Sequence, residues 1–132
     1  MIGIVVVTHG QVAGELVNAA RTIVGDIPRV AAVSIAWADD VGVAREAIER
    51  ALAEVGGGDT LILTDMFGGT PTNVSLPFLS PTVEIVTGVN LPMLIKLTSL
   101  REGVLLEVAR VVGEQGKGAI FVASEILEKG RA

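Results

Sequence analysis

The chain contains one histidine, His9, and no cysteine. Those two counts remove cysteine nucleophiles, thiolate metal sites and disulfide frameworks together. One imidazole is left as the candidate nucleophile. His9 closes a β-branched run, residues 2–8, and is followed by Gly10. A later apolar run, Thr60–Thr64, closes on Asp65. A carboxylate that accepts the Nδ1–H of an imidazole fixes the tautomer in which Nε2 keeps a bare lone pair. The same bond would steady the ring once Nε2 had been acylated or phosphorylated. A metal centre is the weaker use of these side chains, because a stable transition-metal site takes about three or four ligands. An isolated histidine is often merely structural. A strand end facing a carboxylate argues for chemistry.

The residues after Asp65 extend the argument. Gly68-Gly69-Thr70 lets backbone amides approach an anion closely, and a helix opening at Thr70-Pro71 would aim partial positive charge at the same place. A turn that needs positive φ, with Thr70 as N-cap, accounts for the same residues. The two uses are compatible, since a capping hydroxyl can also face a phosphoryl oxygen. Met66 and Phe67 fit a core or a docking surface, and their place at a strand-to-helix turn favours exposure. Other motifs carry less. Gly56-Gly57-Gly58 lacks the lysine of a phosphate-binding P-loop, and no GxGxxG occurs. Ser75, Ser80 and Ser124 have no nucleophile elbow around them. Asp39-Asp40 suits a helix cap better than a catalytic pair.

The elements that must position these groups follow from periodicity. Strands are expected at residues 2–8, 30–36, 60–64, 83–86 and 119–123. Val12, Leu16, Ala19, Ala20 and Ile23 mark a first helix that Gly25 ends. Asp39 or Asp40 caps a second helix, with Ala44, Ala47, Ile48, Ala51, Leu52 and Val55 on one face. A short helix runs from Thr70 to about Leu79, and Asn90 with Pro92 opens another to about Thr98. Ser99-Leu100-Arg101-Glu102 has capping-box spacing ahead of a stripe of Val104, Leu105, Val108, Val111 and Val112. The order β-α-β-α-β-α-β-α-α-β predicts an α/β fold of three layers. Its open, mostly parallel five-stranded sheet has order 2-1-3-4-5, and the last strand is expected to lie antiparallel at the edge. Ligands of such sheets bind beyond the carboxyl ends of the strands where the order reverses, here between strands 1 and 3. Neighbouring strands lie ~4.8 Å apart, so His9 and Asp65 should face each other across that crevice.

Composition sets the outer limits. At 132 residues, the chain is expected to form one domain, 1–132. Half of it is hydrophobic but only Trp37, Phe67, Phe78 and Phe121 are aromatic, so the core must be aliphatic, as in a sheet covered on both faces. A formal net charge of −5 argues against nucleic acid as a partner. No apolar run approaches the ~20 residues of a membrane span, and no secretory signal follows Met1, so a cytoplasmic location is expected.

Three stretches together resemble the IIA component of the mannose-type sugar phosphotransferase system. They are Ile4-Val5-Val6-Val7-Thr8-His9-Gly10, Asp65-Met66-Phe67-Gly68-Gly69-Thr70-Pro71-Thr72-Asn73 and Thr87-Gly88-Val89-Asn90-Leu91-Pro92-Met93-Leu94. The resemblance covers nearly the whole chain. It implies a phosphotransferase whose His9 is transiently phosphorylated on Nε2, with HPr as donor and a IIB component, expected as a separate chain, as acceptor. Membrane IIC and IID subunits are then indirect partners, and sugar specificity belongs to IIB and the membrane subunits. Asp65 falls on the aspartate that hydrogen-bonds the histidine, and Thr70 on a hydroxyl residue near the phosphoryl group. No cofactor or metal is implied. A homodimer that exchanges the last strand is implied, which suits the detached strand 119–123. Phe67 stands where the best-known members have tryptophan. Three alternatives remain: a regulatory switch fed by HPr without transport, the phosphotransferase subunit of a dihydroxyacetone kinase, and a non-enzymatic ligand-binding domain. Gly69-Thr70-Pro71 favours the sugar system over the kinase subunit.

Overall fold

The computed structural model describes residues 1–131, with side chains as far as Glu128. Four strands form one sheet: β1 (Gly3–His9), β2 (Val30–Ile35), β3 (Thr60–Thr64) and β4 (Val83–Thr87). Their order is β2-β1-β3-β4 and every pairing is parallel. Six helices connect or follow them: α1 (Val12–Val24), α2 (Val41–Glu54), α3 (Thr70–Ser75), α4 (Leu91–Thr98), α5 (Leu105–Gly118) and α6 (Ala123–Arg131). A 3-10 turn, Leu76–Phe78, extends α3.

Alternation along β1 divides the core in two. Ile4 and Val6 join Leu61 and Leu63 under α1, α4 and α5, whereas Val5 and Val7 join Val33, Ile35 and Ile62 under α2 and α3. Six of the seven β1 residues are buried, as a central strand covered on both faces must be. Asp40 caps α2 by accepting from the Val43 amide at 2.8 Å, and Asn90 caps α4 by accepting from Met93 at 3.1 Å. Asp39 instead accepts from the Ala36 amide at 2.9 Å, which ties down the loop after β2.

Several expectations are corrected. The buried residues of α1 are Ala13, Val17 and Ala20; of the expected stripe Ala20 is buried and Leu16 packs against the core, whereas Val12 and Ile23 are exposed. Small residues on this face let the helix sit close over β1 and β2. Ser99 does not open a capping box: it ends α4, its hydroxyl donates to the Lys96 carbonyl at 2.8 Å, and Val104 is the residue preceding α5. Arg101 is instead 6% exposed and donates to the carbonyls of Ile2, Pro28 and Arg29. Its positive charge is spent on backbone at the amino ends of β1 and β2.

The fifth strand expected at 119–123 is not formed, and among the described residues the sheet has four strands in order 2-1-3-4. The backbone there serves helices instead. Ala119 N–H donates to the Gly116 carbonyl behind it, and the Val122 carbonyl accepts from Glu125 at 3.0 Å and Ile126 at 3.3 Å. Ile120, Phe121 and Val122 are left exposed, and so is the outer edge of β4 with every residue partly accessible. A strand needs a neighbour's backbone to exist, and this segment pairs with none among the described residues. Antiparallel pairing and strand exchange therefore have no counterpart inside this fold.

Candidate functional site

β1 and β3 run side by side with Val7 opposite Thr64, so the two chains reach the carboxyl edge together. Asp65 follows Thr64 directly, and His9 is the second residue after Val7, beyond the buried Thr8. Asp65 Oδ2 lies 2.7 Å from His9 Nδ1 and accepts the His9 backbone N–H at 3.0 Å. One carboxylate oxygen thus holds both the ring and the peptide of the same histidine. The His9 side chain is 45% exposed, and that of Asp65 is 20% exposed beneath it. Burial alone would raise the Asp65 carboxyl pKa. The two hydrogen bonds from His9 and the attraction of its ring outweigh burial and lower it below the ordinary value of 3.8. Asp65 is therefore an anion at neutral pH. Its Oδ1 is buried with no hydrogen-bond partner among the described residues.

The turns on either side shape the histidine's surroundings. Thr8 is fully buried, and its hydroxyl accepts from the Ala13 amide at 2.7 Å, fixing how α1 leaves the strand. Gly10 turns the chain with φ of +53° and ties back to the Ile35 carbonyl at 3.0 Å. On the other side Gly68 has φ of +87°, a conformation costly for any residue with a Cβ. Gly69 has an ordinary extended backbone, and glycine is required there for another reason. A Cβ at Gly69 would fall 2.7 Å from His9 Cε1 and 3.3 Å from Nε2. The imidazole rests against bare backbone.

Gly69, not Thr70, precedes the first turn of α3, and its carbonyl accepts from Asn73 at 2.9 Å. The expected cap is corrected by one residue, because the close approach of the ring demands glycine at the capping position. Thr70 is thereby released from capping and is exposed in the wall of a cleft of about 390 Å³. His9, Gly10, Ile35, Ala36, Trp37 and Asp39 line the rest of that cleft. The expected set thus gathers at the sheet's carboxyl edge from two adjacent strand ends, His9 from β1 and Asp65, Gly68, Gly69 and Thr70 from the segment after β3. Met66 and Phe67 are exposed, though Phe67 borders the groove along β4 rather than the His9 cleft.

Sequence reasoning missed Trp37, which is fully exposed on the cleft wall. The signal was available. In a sheet of order 2-1-3-4, the loop leaving β2 must rise beside the end of β1. Thr72 lies in the Asp65–Asn73 stretch, but nothing in the sequence marks its hydroxyl as buried. No group of three or more His, Asp or Glu side chains able to hold a metal ion occurs among the described residues. None of the described helices is long and apolar enough to cross a membrane.

This geometry coincides with a family assignment: the model of the mannose-type EIIA family, described as the PTS system fructose IIA component, matches residues 3–112. The chain belongs to this family. A phosphotransfer role in the sugar phosphotransferase system accompanies membership. The chain is 29% identical over 133 positions to the PTS system fructose-specific EIIA component of Bacillus subtilis, covering 98% of this chain and 91% of the relative. It is also 29% identical over 96 positions to the PTS system sorbose-specific EIIA component of Lacticaseibacillus casei, covering 71% and 70%. Among solved structures, the mannose/sorbose-specific IIA subunit from Enterococcus faecalis superposes with a TM-score of 0.85. That match has 28% identity and covers 92% of this chain and 93% of the other. The PTS IIA protein associated with the fucose utilization operon of Streptococcus pneumoniae gives a TM-score of 0.83 at 26% identity, covering 95% of each chain.

Proposed function

We propose that His9 accepts a phosphoryl group at Nε2 from the phosphohistidine of HPr and passes it to a IIB component, coupling the chain to sugar uptake and phosphorylation. The observation that carries this reading is the 2.7 Å contact between His9 Nδ1 and Asp65 Oδ2 beneath a half-exposed ring. An anionic Asp65 accepts from Nδ1–H and leaves the Nε2 lone pair as nucleophile. In the forward step the bond from phosphorus to the donor imidazole nitrogen breaks as the bond to Nε2 forms, in line. Nδ1 keeps its proton throughout, and Asp65 offsets the positive charge that the ring gains. The backbone amides of Gly68, Gly69 and Thr70 and the Thr70 hydroxyl meet the equatorial phosphoryl oxygens, where preorganised donors act most strongly. His9 and Asp65 are the catalytic pair in this reading, and residues 1–132 act as one IIA unit in the cytoplasm.

The named relatives act on or accompany fructose, sorbose, mannose and fucose systems. That spread supports a common phosphoryl carrier whose sugar is chosen downstream, by IIB and the membrane IIC and IID subunits. We further propose a homodimer in which residues 119–123 pair with the open edge of β4 on a second copy. Three exposed apolar residues at 120–122 and a groove of about 580 Å³ along β4 support it.

Incubation with Enzyme I, HPr and phosphoenolpyruvate, followed by intact mass, tests the carrier role. One phosphoryl group is expected on the wild type and none on His9→Ala. An unmodified wild type would overturn it. Light scattering at micromolar concentration tests assembly, with a dimer expected and a monomer refuting it.

A further inference from the structure

We propose that Thr72 is a positioning residue for the His9–Asp65 pair, acting through a buried hydroxyl that braces the chain on both sides of Asp65. This rests on the phosphoryl-carrier reading of His9. Thr72 lies in the first turn of α3 and is wholly buried, as is Thr64 at the end of β3. The Thr72 hydroxyl donates its one proton to the Met66 carbonyl oxygen at 2.5 Å and accepts from the Thr64 hydroxyl at 2.7 Å. Those two partners belong to the residues immediately before and after Asp65. A single side chain therefore spans Asp65 and fastens both of its neighbours.

Asp65 depends on such a brace. Its carboxylate is held through Oδ2 alone, by His9, and Oδ1 has no partner among the described residues. The two bonds from His9 orient the carboxylate only relative to His9, so the separation of the two strand ends must be held by the backbone. That backbone leads into a turn containing Gly68 and Gly69, the least constrained residue type. The Thr72 hydroxyl supplies the constraint. It also sets where Gly69 lies against the imidazole, since Met66 and the start of α3 are the two ends of that short loop. Loosening a loop by a fraction of an ångström would let Asp65 drift from Nδ1 and let the ring sample its other tautomer. Displacements of about 1 Å in a reacting pair cost on the order of 100-fold in rate.

The test compares wild type, Thr72→Val, Thr72→Ser and Thr64→Val as full-length chains. Three readouts are the single-turnover phosphorylation rate from phospho-HPr, the ¹⁵N shifts of the His9 ring and the melting temperature. Thr72→Val keeps the shape and removes the hydroxyl. It is expected to slow phosphorylation roughly 10- to 100-fold and to move the ring nitrogens from the Nδ1–H tautomer towards the mixture of a free imidazole. Thr72→Ser should restore both, and Thr64→Val, which spares the Met66 bond, should show a smaller change in the same direction. An unchanged rate and tautomer in Thr72→Val, whatever its melting temperature, would overturn the proposal, and so would a loss that serine does not rescue. Should Thr72→Val fail to fold, wild-type values of both readouts in Thr64→Val overturn it instead. If the wild type itself takes no phosphoryl group, the carrier reading fails, while the nitrogen spectra still decide whether Thr72 sets the tautomer.

Discussion

The two ends of the parallel sheet each hold one charged side chain against backbone, and they hold it in opposite ways. At the amino end Arg101 is 6% exposed and gives its guanidinium to three carbonyls, those of Ile2, Pro28 and Arg29. The Ile2 amide returns the bond by donating to the Arg101 carbonyl at 2.7 Å. At the carboxyl end Asp65 faces one residue, His9, and keeps an unpartnered oxygen. Carbonyls cannot change their charge or carry a group, so the Arg101 clamp is permanent. An imidazole can do both, so the Asp65 contact is adjustable. The same sheet closes one end tightly and leaves the other reactive. This matches the rule that open α/β sheets bind their ligands at the carboxyl edge.

Substitution at each end should separate stability from rate. The largest effect on folding is expected from Arg101→Met, which removes three hydrogen bonds from a charged donor, the one to the buried Ile2 carbonyl among them, and lowers the unfolding free energy by about 3 kcal/mol. Urea unfolding measures that loss, while phosphorylation by phospho-HPr, assayed where the variant is folded, should keep its wild-type rate. A rate that fell with stability would show the two ends to be coupled. Asp65→Asn should do the reverse. Its amide can donate to Nδ1 and favour the tautomer protonated at Nε2, slowing phosphorylation roughly 100-fold, near the lower end for an orienting group. The melting temperature should stay close to wild type, because the site is partly open to water. A wild-type rate measured by quench-flow would remove Asp65 from the mechanism.

The smallest effect is on acid stability. The Asp65 carboxyl pKa is lowered in the folded chain, chiefly against the opposing effect of burial, by its bonds to His9. Its contribution is therefore fully present above the ordinary value of 3.8 and is lost as pH falls through the lower folded value. Wild type should lose melting temperature over that interval by a small increment that Asp65→Asn does not show. Equal acid profiles would mean that the pair contributes nothing to the folded state.

Much of the reactive end was legible in the sequence. The apolar runs ending in His9 and Asp65 and the alternation of strands with helices were enough to place the two side chains on adjacent strand ends. What escaped notice depended on contacts between segments. Thr72 looks like any helix-start threonine until its hydroxyl is seen to reach back to Thr64 and Met66. In α1 the expected and observed stripes share Ala20, and only packing on the sheet turns the helix so that Ala13 and Val17 are buried while Val12 and Ile23 are not. Ser99-Leu100-Arg101-Glu102 has capping spacing, but the arginine is worth more bonded to three carbonyls than exposed in a first turn. Residues 119–123 have strand-like composition and no strand partner among the described residues. Local bonds to α5 and α6 settle their backbone instead.

The proposed carrier role turns on one atom, Nε2 of His9. The direct measurement is ¹⁵N–³¹P correlation NMR on the chain after phosphorylation by phospho-HPr and removal of the donor, supported by the stability of the adduct in base and its loss in acid. Phosphorus coupled to Nε2 of His9, with Nδ1 still protonated, is the result predicted. Phosphorus on Nδ1, or on a serine, threonine or aspartate, would contradict the role assigned to the His9–Asp65 contact.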